Sequence, residues 1–468
     1  MRFVTHLSSV LGALVALSSA ASSASAGGFS TTRFGGEDGH AATTDVTALF
    51  YNPAGLAYGH GTRLYVEGLF AYRTADYTRD AGAIDNPGTG TPTDAIGKNS
   101  GKGTLANLII SPFIGVASDL GVKGLGVALG LSVPFGGQAS WDKIGTVDPT
   151  YPGAVDGPAR WASIEGTQRS LYYTLAAAWH TPDRRFAIGA GVNLVSSEIN
   201  LVRARNLDGT DDLVQANGAL KEGRALLDVK GTDLAASVGV QWMPTPCSRI
   251  GLAYQSQPGF GQQTLTGTLA TQIGATAPGE VPIELRQQLP DAIRAAGEWH
   301  AFTNASLHAA VEYQRWSKFK NQCVINPGAP DAECTPDGNG LVPQSGDLNT
   351  NIVRNWQDTI GIRVGGTYYA SKDLEVTGGV LYDSNAVPDG TLDPALMDMD
   401  KLIPQLGVRY RLGRVELRGT AGQVLYFSRT TTPSTTRLPA GDKNRSPDMA
   451  GEYHQSVSYA VIGVGVNL

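Results

Sequence analysis

The run Asp233–Leu234–Ala235–Ala236–Ser237–Val238–Gly239–Val240–Gln241–Trp242 alternates between two kinds of side chain. Leu234, Ala236, Val238, Val240 and Trp242 share one side, and Asp233, Ser237 and Gln241 share the other. Successive side chains of a strand point to opposite faces, so the run reads as a β-strand with one apolar and one polar face. Upstream, Phe186, Ile188, Ala190, Val192 and Leu194 oppose Gly189, Gly191 and Asn193. Downstream, Val408 and Tyr410 oppose Arg409 and Arg411, and Val415 and Leu417 oppose Arg414, Glu416 and Arg418. One such strand also suits a soluble sandwich; its recurrence along the whole chain is what separates the possibilities.

Fourteen strands are predicted, at residues 63–77, 105–118, 125–134, 170–180, 186–201, 228–243, 249–257, 291–301, 306–318, 352–369, 374–383, 401–412, 415–427 and 453–468. Their connections alternate between tight turns and long loops. Tandem sandwiches have no reason to gather every long loop at one end, whereas an outer-membrane barrel has short turns on one side and long loops on the other. Trp179, Trp242, Trp299, Tyr368 and Tyr410 fall near the short turns, where an interfacial aromatic girdle belongs. The last strand alternates Ala460, Ile462, Val464, Val466 and Leu468 with Tyr459, Gly463, Gly465 and Asn467. The fold class is therefore all-β, a 14-stranded antiparallel transmembrane barrel.

Residues 1–26 read as a secretory leader: Arg2, an apolar core from Val10 to Leu17, and a small-residue site at Ala24–Ser25–Ala26. No later run of about 20 apolar residues follows, so a helical span is not predicted. The balance of 36 basic and 42 acidic residues gives a net charge of −6, and nothing in it points to nucleic acid. Cys323 and Cys334 flank a polar loop, a spacing suited to a local disulfide in an oxidising compartment, with Cys247 left unpaired. The cysteine spacing fits no zinc site, and no metal or cofactor is expected. His300 and His308, with Glu298 and Glu312, face the barrel interior in this reading, where wall hydrogen bonding accounts for them. No Gly-x-Ser-x-Gly elbow is present, and no catalysis is expected.

Residues 27–61 lack sustained alternation. Within them Ala48–Leu49–Phe50–Tyr51–Asn52–Pro53–Ala54–Gly55–Leu56–Ala57 is a compact kinked segment. Pro53 holds Asn52 away from the helical region, and Gly55 permits a tight turn or close backbone approach.

With Gly27–Gly28–Phe29, this Asn-Pro-Ala stretch, residues 289–294, 314–319, 355–359 and 381–389, the chain resembles the FadL-type (OmpP1/FadL/TodX) outer-membrane transporters of long-chain fatty acids and hydrophobic compounds. The resemblance implies an N-terminal hatch, residues 27–61, inside a barrel formed by 62–468. Phe29, Asn52, Pro53, Ala54 and Gly55 would be hatch or gating residues. It also implies a kink and lateral gap at the third strand, where Gly124, Gly126, Gly130 and Pro134 are available. The third and fourth long loops would build an outer hydrophobic groove. Leu213, Val214, Leu220 and Leu226 in the third predict short amphipathic helices, and Leu265, Leu269 and Ile273 at four-residue spacing give the fourth another apolar stripe. The expected function is passive uptake of a fatty acid or aromatic hydrocarbon, by a monomer embedded among outer-membrane lipid and lipopolysaccharide. A general diffusion porin is the alternative; a barrel lipase and a surface adhesin are weaker ones.

Overall fold

The structure is a computed structural model that describes residues 28–30, 34–85, 99–144, 154–206, 208–274, 276–335, 344–435, 438 and 442–468. The leader read in residues 1–26 lies outside them. The chain begins its wall with β1 (Thr62–Arg79), β2 (Gly101–Ser118), β3 (Leu125–Ser140), β4 (Glu165–His180), β5 (Phe186–Arg205), β6 (Gly223–Thr245) and β7 (Ser248–Gln255). Then come β8 (Gln263–Gln272), β9 (Gly279–Gln287), β10 (Ala292–Phe302), β11 (Ala305–Gln314), β12 (Asn321–Ile325) and β13 (Leu348–Val353). Last are β14 (Thr359–Tyr369), β15 (Leu374–Asp383), β16 (Lys401–Leu412), β17 (Val415–Tyr426), β18 (Arg429–Thr430) and β19 (Gly451–Asn467).

Fourteen of these close a barrel. Antiparallel pairing runs β1 to β7, on to β10 and β11, then β14 to β17, and β19 returns to β1. The side-chain pattern explains the closure. Along β5, Ile188 and Val192 are more than half exposed on the outside, while Ala187, Asn193 and Val195 are buried inside. Trp179, Trp242, Trp299, Tyr368 and Tyr410 all stand outward near the short turns, and Phe186 stacks on Trp242 across strands at 6.1 Å. At the opposite end Tyr72, Tyr254, Tyr313, Tyr382 and Phe427 are also outward.

β5 and β6, at 20 and 23 residues, are longer than the roughly 9–11 needed to cross a bilayer. Their excess projects beyond the apolar band. There β6 pairs with β8, and β9, β12 and β13 continue the sheet as a raised wall around the mouth. The Cys323–Cys334 disulfide joins β12 to the turn Asp331–Cys334, and Cys247 is free and exposed in the β6–β7 turn.

Three expectations need correcting. The third long loop is not helical and the stripe of the fourth lies on a strand: Val214 bridges Leu220 around a turn with Gly218 at φ 82°, Leu226 lies in β6, and Leu265 and Leu269 lie in β8, with Ile273 just beyond it. The strand read over 352–369 is two, β13 and β14, separated by a segment in which Asn355 has φ 44°. The strand read over 306–318 stops at Gln314, and Trp316–Lys318 is a single 3-10 turn. In both places the chain leaves the wall to turn large rings inward.

Candidate functional site

The described part of residues 28–61 is almost wholly buried and touches the inner faces of strands around the ring. Ala48–Tyr51 is one helical turn and Pro53–Tyr58 a 3-10 run. Asn52 between them is extended, at φ −165° and ψ 100°, as the residue before a proline must be. Its fully buried side chain accepts from Ala54 N at 3.1 Å and donates to Ala41 O at 2.7 Å and to Val240 O of β6 at 3.0 Å. The wall makes room with glycines. A Cβ on Gly239 would overlap Asn52 Oδ1, one on Gly189 would overlap Pro53 and Ala54, one on Gly126 would overlap Leu56 O, and one on Gly251 would overlap Ala41 O. Gly55 presses in turn on Thr43 O, leaving no space for a side chain.

Charge holds the other side of this segment. Arg409 pairs with Asp38, and Arg418 pairs with Asp45, both arginines being tied to Glu416 as well. Arg363 donates to Gly39 O at 2.8 Å, and Glu67 accepts from Gly35 N at 2.9 Å. His308 Nε2 lies 2.6 Å from Glu37 Oε1, and Gln405 donates to the same carboxylate. Burial disfavours the Asp45 carboxylate, but Arg418 and Arg409 outweigh it and hold its pKa well below the usual range. Burial, and then His308, pushes the His40 imidazole well below its usual value. His300 stands apart near the short turns, and no group of three His, Cys, Asp or Glu side chains suited to a metal occurs among the described residues.

The wall itself is interrupted. β2 and β3 pair only from Ser118↔Val127 to Phe113↔Ser132. Beyond that, β2 stays with β1 and β3 stays with β4, and the two meet again where Asn107 Nδ2 donates to Gln138 O at 3.3 Å and, just past β3, where Asp142 N donates to Thr104 O at 2.8 Å. The cause is a bulge. Ser132 faces Tyr172 and Phe135 faces Ser170, so Val133 and Pro134 together oppose Leu171. Pro134 has no N–H to give to a ladder. The break is thus at Val133–Pro134. Gly126 and Gly130 instead accommodate Leu56 and Leu49 of the N-terminal segment, and Gly124, at φ 83°, serves the turn before β3.

Phe29 and Ser30 sit at this window. Ser30 bridges Phe135, and Gly136 N donates to Phe29 O at 2.9 Å. The Phe29 ring meets Trp316 at 4.9 Å, Phe319 and Trp356 at 5.8 Å and Phe135 at 6.1 Å, edge to face. Gly28 N donates to Asp398 Oδ2 at 2.8 Å, and Asp398 is in turn paired with the buried Lys401. The resemblance named Phe29 but not the rings around it, for which the aromatic density of 316–319 and 356 was the available signal.

Three cavities adjoin one another through shared lining residues, the innermost of them at the window. The outer one, about 650 Å³, is bordered by Trp161, Leu201, Arg203, Ile352 and Arg354. Leu201, Ile352 and Arg354 also border a second, about 50 Å³, which shares Gly137, Ala395 and Leu396 with a third, about 40 Å³, against Gly28 and Phe29. None of Leu213, Val214, Leu220, Leu226, Leu265, Leu269 and Ile273 lines these three. Leu213, Val214, Leu265 and Leu269 are buried in packing, and Leu226 points outward.

Residues 11–458 match the profile of the family described as outer membrane protein transport protein (OMPP1/FadL/TodX). A protein of Neisseria meningitidis serogroup B named as an outer membrane protein is 23% identical over 394 residues, covering 80% of this chain and 79% of its own. Among solved structures, a FadL homologue of Pseudomonas aeruginosa superposes with a TM-score of 0.73 at 16% identity, covering 96% of this chain and 100% of that one. The Ralstonia pickettii toluene transporter TbuX superposes at 0.61 and 17% identity, covering 94% of this chain and 98% of that one. The Pseudomonas putida toluene transporter TodX superposes at 0.63 and 14% identity, covering 96% and 99%. These structures share the closed fourteen-strand barrel. With the profile spanning nearly the whole sequence, this chain belongs to the OMPP1/FadL/TodX family of outer membrane transport proteins.

Proposed function

We propose that the protein carries small hydrophobic compounds passively across the outer membrane and releases them sideways through the window between β2 and β3. The observation that carries this reading is the coincidence of that window with Phe29 and with the innermost of three adjoining cavities. Cargo enters the outer cavity and leaves water at a gain of about 0.8 kcal/mol per buried CH₂. It moves past Leu201 and Ile352 to Ala395 and Leu396, then takes the place of the Phe29 ring in its cage. With Phe29 and Ser30 displaced, the gap leads into the lipid and the cargo never crosses an aqueous lumen. Residues 34–61 act as the hatch, and the Asn52–Pro53–Ala54–Gly55 turn keeps it seated. A general diffusion porin would need a water-filled bore through the volume this segment occupies.

The test is uptake of labelled oleate and of labelled toluene by cells lacking their own transporter, with native protein and with Asn52→Ala. Uptake of at least one compound, reduced severalfold by the substitution, is expected. Uptake of neither by correctly assembled protein would overturn the reading, as would large steady ion conductance in planar bilayers.

A further inference from the structure

We infer that the short-turn end of the barrel, the periplasmic end in such proteins, holds a site for one small oxyanion such as inorganic phosphate, and that the bound anion ties the N-terminal segment to the wall. The site is built around Tyr58, the last residue of the 3-10 run Pro53–Tyr58. Tyr58 is 7% exposed, and its hydroxyl has no hydrogen-bond partner among the described residues. Arg63 Nε and Arg249 Nε are buried and unpartnered in the same way. Each arginine is anchored through Nη1: that of Arg63 donates to Thr44 O at 3.0 Å, and that of Arg249 to Ala42 O at 3.4 Å and to Glu298 at 3.3 Å. Arg249 Cζ lies 5.8 Å from the centre of the Tyr58 ring. Arg63 lies against Gly59, where a Cβ would overlap its guanidinium. Buried polar groups left open in this way are rare. A hydroxyl can give or accept, but guanidinium N–H groups only give, so the missing partner is an acceptor from outside the chain.

The wall holds these groups in place. His180, at the end of β4, stacks on the Tyr58 ring at 5.4 Å, and its Nδ1–H donates to Thr181 O at 2.6 Å. Arg184, in the turn between β4 and β5, has φ 59°, a left-handed conformation that strains any residue with a side chain. Its Cζ lies 5.9 Å from the centre of the Tyr58 ring, and its Nη1 lies 3.3 Å from His60 Nε2. Arg63, His180 and Arg249 share the parity of the buried, inward residues Tyr65, Ala178 and Gly251. The site therefore faces the inside of the barrel and not the lipid headgroups, so its ligand is a free anion. The nearby acids are already held. Glu298 pairs with Arg249 and lies 3.5 Å from His300, Asp183 accepts from Thr181 Oγ1 and Arg185 N, and Asp119 accepts from the N–H groups of Gly61 and Gly121. Neither Arg63 nor Arg184 has an ion pair with a described residue. An oxyanion can accept from several of these donors at once, and charge-assisted hydrogen bonds are the strong ones. Tyr58 belongs to the N-terminal segment, whereas Arg63, Arg184 and Arg249 belong to β1, the β4–β5 turn and β7, so one anion cross-links the segment to three parts of the wall. The site does not depend on the identity of the cargo.

Calorimetric titration of inorganic phosphate into the purified barrel, in a phosphate-free detergent and against chloride at matched ionic strength, tests this. Protease cleavage of residues 34–61 is the second readout. Native protein should bind one phosphate and be cleaved severalfold more slowly when it is bound, and chloride should do neither. Tyr58→Phe should weaken phosphate about tenfold, and Arg184→Gln by a similar factor, the usual loss when a hydrogen bond to a charged group goes. Arg184→Lys should recover part of the affinity. Heat-modifiable gel migration checks that each variant is folded, and Arg184 is exposed in a turn, where its replacement spares the core. Absence of phosphate binding by native protein, native-like binding by both Tyr58→Phe and Arg184→Gln, or binding that leaves cleavage unchanged overturns the proposal.

Discussion

At Gly239 one hydrogen in place of a methyl lets the Asn52 amide reach the carbonyl of Val240. Gly239→Ala should push Asn52 off its seat at a cost of about 1–3 kcal/mol, the range for overpacking a filled site. The barrel ladder does not depend on that amide, so the variant should keep heat-modifiable gel migration while residues 34–61 become cleavable by protease. Unchanged protease resistance would show that the contact is not needed. Asn52 and Pro53 were legible because a proline restricts its predecessor wherever it stands. Gly239, Gly189 and Gly251 were legible only as inward-facing positions; what presses on them comes from a segment far away in sequence. The same limit applies to Phe29, whose cage is assembled from β3 and from the two turns after β11 and β13.

Among the elements, β3 and β8 show where periodicity runs out. In β3 Gly124, Gly126, Gly130 and Pro134 were all offered for the kink; the glycines serve a turn and close approach, and the bulge falls at Val133–Pro134. In β8, Leu265 and Leu269 are four residues apart, a spacing that satisfies a helix and, being even, a strand as well. Thr264 just before them and Thr266 and Thr268 between them were the β-branched signal favouring the strand. Asn217–Gly218 was a hairpin signal for the third loop. The clasp between the N-terminal segment and β16–β17 carries its own prediction. Arg418 and Arg409 stabilise the charged form of Asp45, so its folded-state pKa is lowered. That contribution is complete above the unfolded-state value of about 3.9 and is lost as pH falls through the lower folded value. Protease resistance of residues 34–61 should therefore hold from pH 7 to pH 5 and fall only below about pH 4. Asp45→Asn should weaken it already at neutral pH, by about 1–3 kcal/mol, and flatten the acid dependence. A native protein that loses this protection near pH 6 would contradict the assignment.

For the molecule as a whole, the alternation of faces and of connection lengths was enough to read a closed fourteen-strand barrel, because both are local properties repeated along the whole chain. The raised wall of β8, β9, β12 and β13 was not legible, since it replaces what length alone marks as loop. The proposed route was not legible either: Leu201, Arg354 and Leu396, and Leu396 and Phe29, come to border common cavities only after the barrel closes and the turn after β15 folds inward. All of these parts serve one claim, that cargo leaves through the side of the wall when Phe29 and Ser30 move away. The direct measurement is uptake by a Ser30→Cys/Phe135→Cys variant in a Cys247→Ser background, which places the new thiols on the residues that bridge across the window. The Cys247→Ser parent and a Phe135→Cys single variant, treated identically, are the controls. Oxidised protein should lose uptake of oleate and toluene, and reduction should restore it to the level of the single variant; undiminished uptake with the tether fully formed would contradict lateral release.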